Sequence, residues 1–402
     1  MNPNLKCLIY LTSFAGITSC KKPYNPPAIT APGSYLVVEG VINSGPDSTV
    51  IKLSRTVNLS STGTQNPELH ASVAVQSDQG TVFPLTETTN GNYVSAGLNL
   101  NNSHTYRLSI KTPNNEQYYS DYVAVLNSPP IDSVYFKITN TGLNIYSATH
   151  DPTNTIKYYR WDYGETWIIH PFYDSDYISN GDTVLERTLS QQIYTCWKTD
   201  TSSDIVLGSS AKLAKDVIVD NLITSMVSTS PKIANEYTIF LRQYALTADA
   251  YTFWTNLSKN TQQLGSIFDA QPSEINGNIH SATNPNEPVI GYISVGSTSS
   301  IRIFISTRQL PAWQANQNFP DCSPPNFFKS YLYAYYPQNS NIPVNQVNEF
   351  INYNIGGDPY PWIPIVAIEQ PGGPILGFTA APPNCVDCTL QGTNNQPAYW
   401  RY

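Results

Sequence analysis

Short apolar runs rich in β-branched residues alternate with turn clusters along most of this chain. Residues 35–42 form the first such run, closed by Gly45-Pro46-Asp47, and 50–53 form the second. Residues 72–76 and 82–85 flank Asp78-Gln79-Gly80 and are set up as hairpin partners. Asn90-Gly91-Asn92 then introduces Tyr93-Val94. From His104 to Ile110 the alternation is regular, which places Tyr106, Leu108 and Ile110 on one strand face. Residues 117–125 close the set. Short strands at roughly 8–12-residue spacing predict an immunoglobulin-like sandwich over 34–127.

Ser128-Pro129-Pro130 marks a boundary. Beyond it, 131–306 reads as a second β-sandwich-like domain, with strands predicted at 133–138, 143–147, 158–169 and 237–244. A hairpin of 288–295 with 300–306 is expected to finish it. Inside it the period switches from two to 3.6 once: Ala250, Phe253, Trp254 and Leu257 recur at helical spacing behind Thr247 as N-cap, predicting a helix over about 247–260. Residues 307–402 are rich in Pro, Asn and Tyr and read as an irregular extension with one short strand at 330–336. The expected fold class is mainly β: tandem immunoglobulin/fibronectin-III-like sandwiches, the second with a helical insertion and this C-terminal extension.

Composition narrows the class. Only 12% of the 402 residues are charged, against about 25% in an ordinary soluble domain, and the net charge is −8. A nucleic-acid partner is not expected, because that affinity rests on clustered cations. Residues 1–19 read as a signal peptide, with Lys6 as its charge and an apolar stretch too short to span a bilayer. Ile17-Thr18-Ser19-Cys20 resembles a bacterial lipobox, which makes Cys20 the expected lipidation site. Residues 20–33 carry Pro23, Pro26, Pro27 and Pro32 and read as anchor and extended tether. The expected location is the outer membrane, lipid-anchored, with the side left open. In an oxidising space Cys196, Cys322, Cys385 and Cys388 become disulfide candidates. Of the three connectivities, Cys196–Cys322 with Cys385–Cys388 is the favoured one.

No nucleophile elbow, phosphate-binding loop, zinc helix or dinucleotide fingerprint occurs, and the five His residues are scattered. Asp162 and Glu165 are close in sequence, but their odd offset puts them on opposite strand faces. No enzymatic activity, cofactor or metal is expected. Cys385-Val386-Asp387-Cys388 has only half the spacing of a zinc site. Tyr159, Trp161, Tyr163 and Trp167 are the candidate binding residues. They share one strand face, as Tyr331, Tyr333 and Tyr335 do later, and an aromatic face serves either as a core or as a stacking platform for sugar rings or a protein partner. Arg160, on the opposite face, reads as a packing residue. Gly277-Asn278-Ile279-His280 reads as a turn or a binding loop.

Six segments in order resemble the domain-of-unknown-function 4249 family of lipoproteins: Leu36-Val37-Val38-Glu39-Gly40, Tyr158-Tyr159-Arg160-Trp161, Glu165-Thr166-Trp167, Gly277-Asn278-Ile279-His280, Pro288-Val289-Ile290-Gly291-Tyr292 and Cys385-Val386-Asp387-Cys388. The resemblance implies a Gram-negative outer-membrane lipoprotein associated with TonB-dependent receptors, and it brings no catalytic residue. The expected function is therefore binding or interaction, accessory to such a receptor. The alternative is a glycan-binding module using the aromatic strand faces.

Overall fold

The computed structural model describes residues 35–57, 66–180, 183–262, 277–313, 315, 322, 329–334, 338, 341–347 and 362–400. The segments read above as signal peptide and tether, with Cys20, lie outside these residues. The protein is mainly β, as expected.

The first sandwich begins with β1 (Leu36–Asn43), β2 (Thr49–Arg55), β3 (Ser72–Ser77), β4 (Val82–Glu87), β5 (Asn92–Ser95), β6 (Thr105–Lys111), β7 (Gln117–Ser120) and β8 (Val123–Ala124). β4 forms the corner. Its start pairs with β3 (Val73 opposite Leu85) and its end with β5 (Thr86 opposite Val94), so the two layers are one continuous sheet folded on itself. The alternating apolar positions meet inside: Leu36, Ile51, Tyr93, Leu108 and Tyr118 are fully buried.

The second sandwich packs one sheet of β9 (Ile131–Ile138), β10 (Gly142–His150) and a later strand against a second built on β11 (Tyr158–Ile169). After the small hairpin of β12 (Tyr177–Ser179) and β13 (Val184–Glu186), β14 (Cys196–Thr201) and β15 (Val206–Ser209) both pair with β11. β16 (Val217–Val227) returns to β10, and β17 (Glu236–Leu246) runs along the other side of β11. The predicted helix follows as α1 (Ala248–Gln262), with Thr247 Oγ1 accepting the Ala250 N–H at 3.1 Å as its cap.

The expected hairpin of 288–295 with 300–306 does not form. After α1 the chain re-enters the first sandwich: β18 (Ile279–Ser281) adds beside β7, and β19 (Val295–Gly296) adds in parallel beside β1. The cause is burial, since Ile279, Val289, Ile293 and Val295 fill the first core. Asn278 clamps this loop, donating to the Ile293 carbonyl at 2.9 Å and accepting the Ile293 N–H at 2.8 Å. A Cβ on Gly277 would sit 1.8 Å from the Gly291 oxygen, so the turn-or-binding-loop motif around 277–280 is a packing device between two backbone segments. The chain then crosses back as β20 (Thr298–Ser306), which pairs with β17. The two sandwiches are thus interlocked, and the 34–127 and 131–306 ranges do not separate two cores.

The C-terminal extension is more regular than expected. β21 (Lys329–Leu332), β22 (Ile363–Glu369) and β23 (Ile375–Ala381) form a three-stranded sheet. It is bound to the second sandwich by Cys196–Cys388, with a second bridge at Cys322–Cys385. The favoured pairing of Cys196 with Cys322 and Cys385 with Cys388 is corrected: each cysteine of the CxxC segment belongs to a different disulfide. Chain folding brings Cys196 and Cys388 to a Cα separation of 5.6 Å, within disulfide reach, across 192 residues of sequence. Neither sulfur is left for a zinc half-site.

Candidate functional site

β11 has two faces with opposite roles. The inner face carries Tyr159, Trp161, Tyr163, Glu165 and Trp167, all buried; Trp161 is 1% exposed. These aromatics pack in the second core against Leu143, Ile239 and Leu241. Trp161 Nε1 donates to Gln243 Oε1 at 3.0 Å, and Gln243 in turn donates to the Pro129 carbonyl at 2.9 Å. The buried Glu165 accepts from Tyr237 Oη at 2.6 Å and pairs with Lys232. The candidate binding stripe Tyr159, Trp161, Tyr163 and Trp167 is therefore corrected to core: rings with one apolar face in register are most stable when that face leaves water. Tyr331 is likewise buried, Tyr333 is exposed, and Tyr335 lies outside the described residues.

The outer face is different. Arg160 and Asp162 on β11 meet Phe240, Arg242 and Tyr244 on β17, with Arg160 opposite Tyr244 and Asp162 opposite Arg242. Asp162 accepts from Arg242 Nε at 2.6 Å and from Tyr244 Oη at 2.8 Å, so both its oxygens are engaged. Arg160 is held between rings, its guanidinium carbon 4.5 Å from the Tyr244 centroid and 4.2 Å from that of Trp254 on α1. The nearest carboxylate oxygen paired with it is Asp162 Oδ2 at 3.9 Å, beyond hydrogen-bond reach. Among the described residues Arg160 donates no hydrogen bond, although its side chain is only 16% exposed. Burial pulls the pKa of its guanidinium below the ordinary arginine value. Burial, with the Asp162 carboxylate second, pushes the Tyr244 hydroxyl up to about 12.

This face is the floor of a cleft of about 770 Å3 between the two sandwiches, a size and position typical of ligand sites. The opposite wall is the outer side of β1 and β2, with Val37, Glu39, Val41 and Val50, and the turn between them, with Asp47. α1 supplies Phe253, Trp254 and Leu257, and the 202–205 loop supplies Asp204 and Ile205. Tyr292, packed 5.5 Å from Phe253, closes one end next to Gly291. Three of the six segments quoted above, those beginning at Leu36, Tyr158 and Pro288, line this cleft.

Arg160 and Asp162 were visible in sequence as the polar positions between the aromatics of 158–169. Arg242 and Tyr244 carry the same signal, alternating with the buried Leu241, Gln243 and Ala245 of β17. What sequence does not reveal is that α1 and the 291–292 turn converge on them. Among the described residues no group of His, Cys, Asp and Glu is arranged to hold a metal ion, and no helix is long and apolar enough to cross a membrane.

No curated protein matches the chain. Among solved structures, the adhesin InvE of Yersinia pseudotuberculosis is similar at 15% identity with a TM-score of 0.14. The match covers 53% of this chain and 55% of that one, so the chain spans about half the length of the adhesin. The family described as "Domain of unknown function (DUF4249)" matches residues 21–302, well over half of the sequence, and the protein belongs to that family.

Proposed function

We propose that the protein is a binding protein, held at the outer membrane by lipid on Cys20, that captures a ligand in the cleft between its sandwiches and acts beside a TonB-dependent receptor. The observation that carries this reading is the cleft itself. It combines aromatic and aliphatic walls with an arginine whose hydrogen-bonding capacity is unspent, which is the composition of a recognition site. A binding role is favoured over catalysis because Asp162 is engaged by Arg242 and Tyr244 and Glu165 faces the core, so the two are not a working carboxylate pair. The lipobox-like segment and the Pro-rich tether support the anchored location, since several acyl chains at about 0.8 kcal/mol per buried methylene hold a protein at a bilayer. Tethering raises local concentration and favours docking on a neighbour in the same membrane.

The test is affinity purification from detergent-solubilised outer membranes, read by mass spectrometry. Recovery of a TonB-dependent receptor at near-stoichiometric levels is the expected result; recovery of none overturns the receptor association. The Cys20→Ala protein should leave the membrane fraction, and its retention there would refute the anchor.

A further inference from the structure

We propose that the cleft binds a saccharide bearing carboxylate groups, with Arg160 as the anchor for one carboxylate; this rests on reading the cleft as the binding site. The unspent guanidinium is the starting point. A planar fork of five N–H donors, held between the rings of Tyr244 and Trp254, is preorganised for a carboxylate. Its nitrogens still reach solvent, so a carboxylate can approach them, and an ionic hydrogen bond made in this partly shielded setting is stronger than one in open water.

Arg160 is not isolated. Arg160 lies opposite Tyr244, Arg242 is two residues along β17, and Arg302 on β20 lies opposite Phe240. The three therefore lie on one diagonal across the sheet at steps of roughly 8 Å, from strand spacing and rise. Arg302 repeats the Arg160 arrangement. It sits 4.8 Å from the Phe240 centroid and 3.7 Å from that of Tyr399, and it makes no ion pair among the described residues. Asp162 offsets the charge on the floor, and Glu39, Asp47 and Asp204 stand elsewhere in the lining. The arginines interleaved with aromatic rings form a local cationic track on this sheet face, of which Arg160 and Arg242 lie in the cleft.

The choice of saccharide over acidic peptide follows from the backbone. β1 is paired on both sides, by β2 and by β19, and β11 and β17 are each paired on both sides too. β20 ends its sheet, but Thr298 and Ser300 are its only residues in the lining, so among the described residues the cleft offers a peptide little free strand backbone and chiefly side-chain partners. The lining instead offers hydroxyls (Ser48, Ser202, Ser203, Ser300), the carboxylates of Glu39 and Asp47 on the wall opposite Arg160, and Asp204 on the 202–205 loop. Those acids accept from hydroxyl donors, which a sugar supplies and the side chains of an acidic peptide do not. A uronate thus has one orientation, carboxylate to the floor and hydroxyls to the opposite wall, with Trp254 and Tyr292 along its ring edge.

The experiment is calorimetric titration of the full lipidated chain in detergent micelles with tri-galacturonate and tri-mannuronate, the methyl ester of tri-galacturonate, and triglutamate. The expected result is that at least one acidic trisaccharide binds. Methyl esterification, tested on tri-galacturonate if that one binds and otherwise on the ester of tri-mannuronate, should weaken binding at least 10-fold. Arg160→Gln should lower affinity about 10- to 100-fold at an unchanged melting temperature, with Arg160→Lys between the two. Equal binding of acid and ester overturns the carboxylate requirement while leaving the cleft a binding site. Binding of triglutamate alone replaces the saccharide with an acidic peptide. Binding of none of the probes overturns the inference, and the receptor pull-down then judges the broader reading separately. The ester comparison needs no variant, so a folding defect in Arg160→Gln cannot obscure the answer.

Discussion

The two faces of β11 differ by one residue of offset and by everything else. Trp161 and its row are dry, in register with the second core, and hydrogen-bonded into it through Gln243. Arg160 and Asp162 share the same backbone and face a cleft lined by a second sandwich, a helix and a turn. A strand gives its neighbours no choice of face, since consecutive side chains point oppositely. The aromatic stripe that looks most like a binding surface is therefore what commits its intervening positions to solvent or ligand. Large rings in period two identify the core side, and the polar residues between them are where recognition is to be sought.

The largest test of this contrast is truncation on the inner face. Trp161→Ala should destabilise the protein by about 3–5 kcal/mol in denaturant unfolding, the usual cost of emptying an aromatic site in a core. Arg160→Ala, next in sequence, should change stability by no more than about 1 kcal/mol, because lost ring contacts are offset by removing a charge with no acceptor. Similar costs at the two positions would erase the distinction between the faces.

The inner face extends to the disulfide. Ile169 ends the row and lies opposite Cys196, which bonds Cys388 in the same core. Replacing both Cys196 and Cys388 by Ser should cost about 2–4 kcal/mol, since the bridge restrains a long loop in the unfolded chain. The Cys322 and Cys385 pair closes a shorter span, 63 residues against 192, and its removal should cost less. Peptide mapping of the unreduced protein should recover Cys196 linked to Cys388; a Cys385–Cys388 peptide would contradict this architecture.

The strands of the first sandwich and α1 were legible because burial on one face imposes a period that the residues repeat. β18 and β19 were not, because strands of three and two residues, Ile279–Ser281 and Val295–Gly296, carry no readable alternation. Their place is set by the Asn278 clamp and by Gly277 against Gly291, which are long-range contacts. Cysteine pairing failed for a related reason: Cys385 and Cys388 are neighbours in sequence, but each bonds a cysteine brought close by the fold. The cleft was half legible. Its floor is written in the polar positions of β11 and β17, whereas the end closed by Ile290, Gly291 and Tyr292 comes from the re-entry of 277–296 into the first sandwich, which no local pattern announces.

The smallest effect is a titration that separates the faces without altering stability at neutral pH. On the outer face the Tyr244 hydroxyl is pushed up to about 12, by burial first and by Asp162 second. On the inner face Tyr159, beside Asp216, and Tyr237, beside Glu165, are pushed further still. A tyrosine whose pKa rises on folding stabilises the protein fully below its ordinary value near 10, and that stabilisation is lost as pH climbs from there through the folded value. Stability should therefore fall from about pH 10 to about 12 in the parent protein, and Tyr244→Phe should fall less steeply in that window. The ultraviolet difference spectrum between parent and Tyr244→Phe isolates this one phenol, and its midpoint should lie near 12. Asp162→Asn removes a hydrogen-bonded carboxylate and should bring the midpoint down, while leaving the inner-face tyrosines silent over the same range. A midpoint near 10 in the parent would mean that Tyr244 is open to water, and the floor of the cleft would lose the desolvation that sets Arg160 apart.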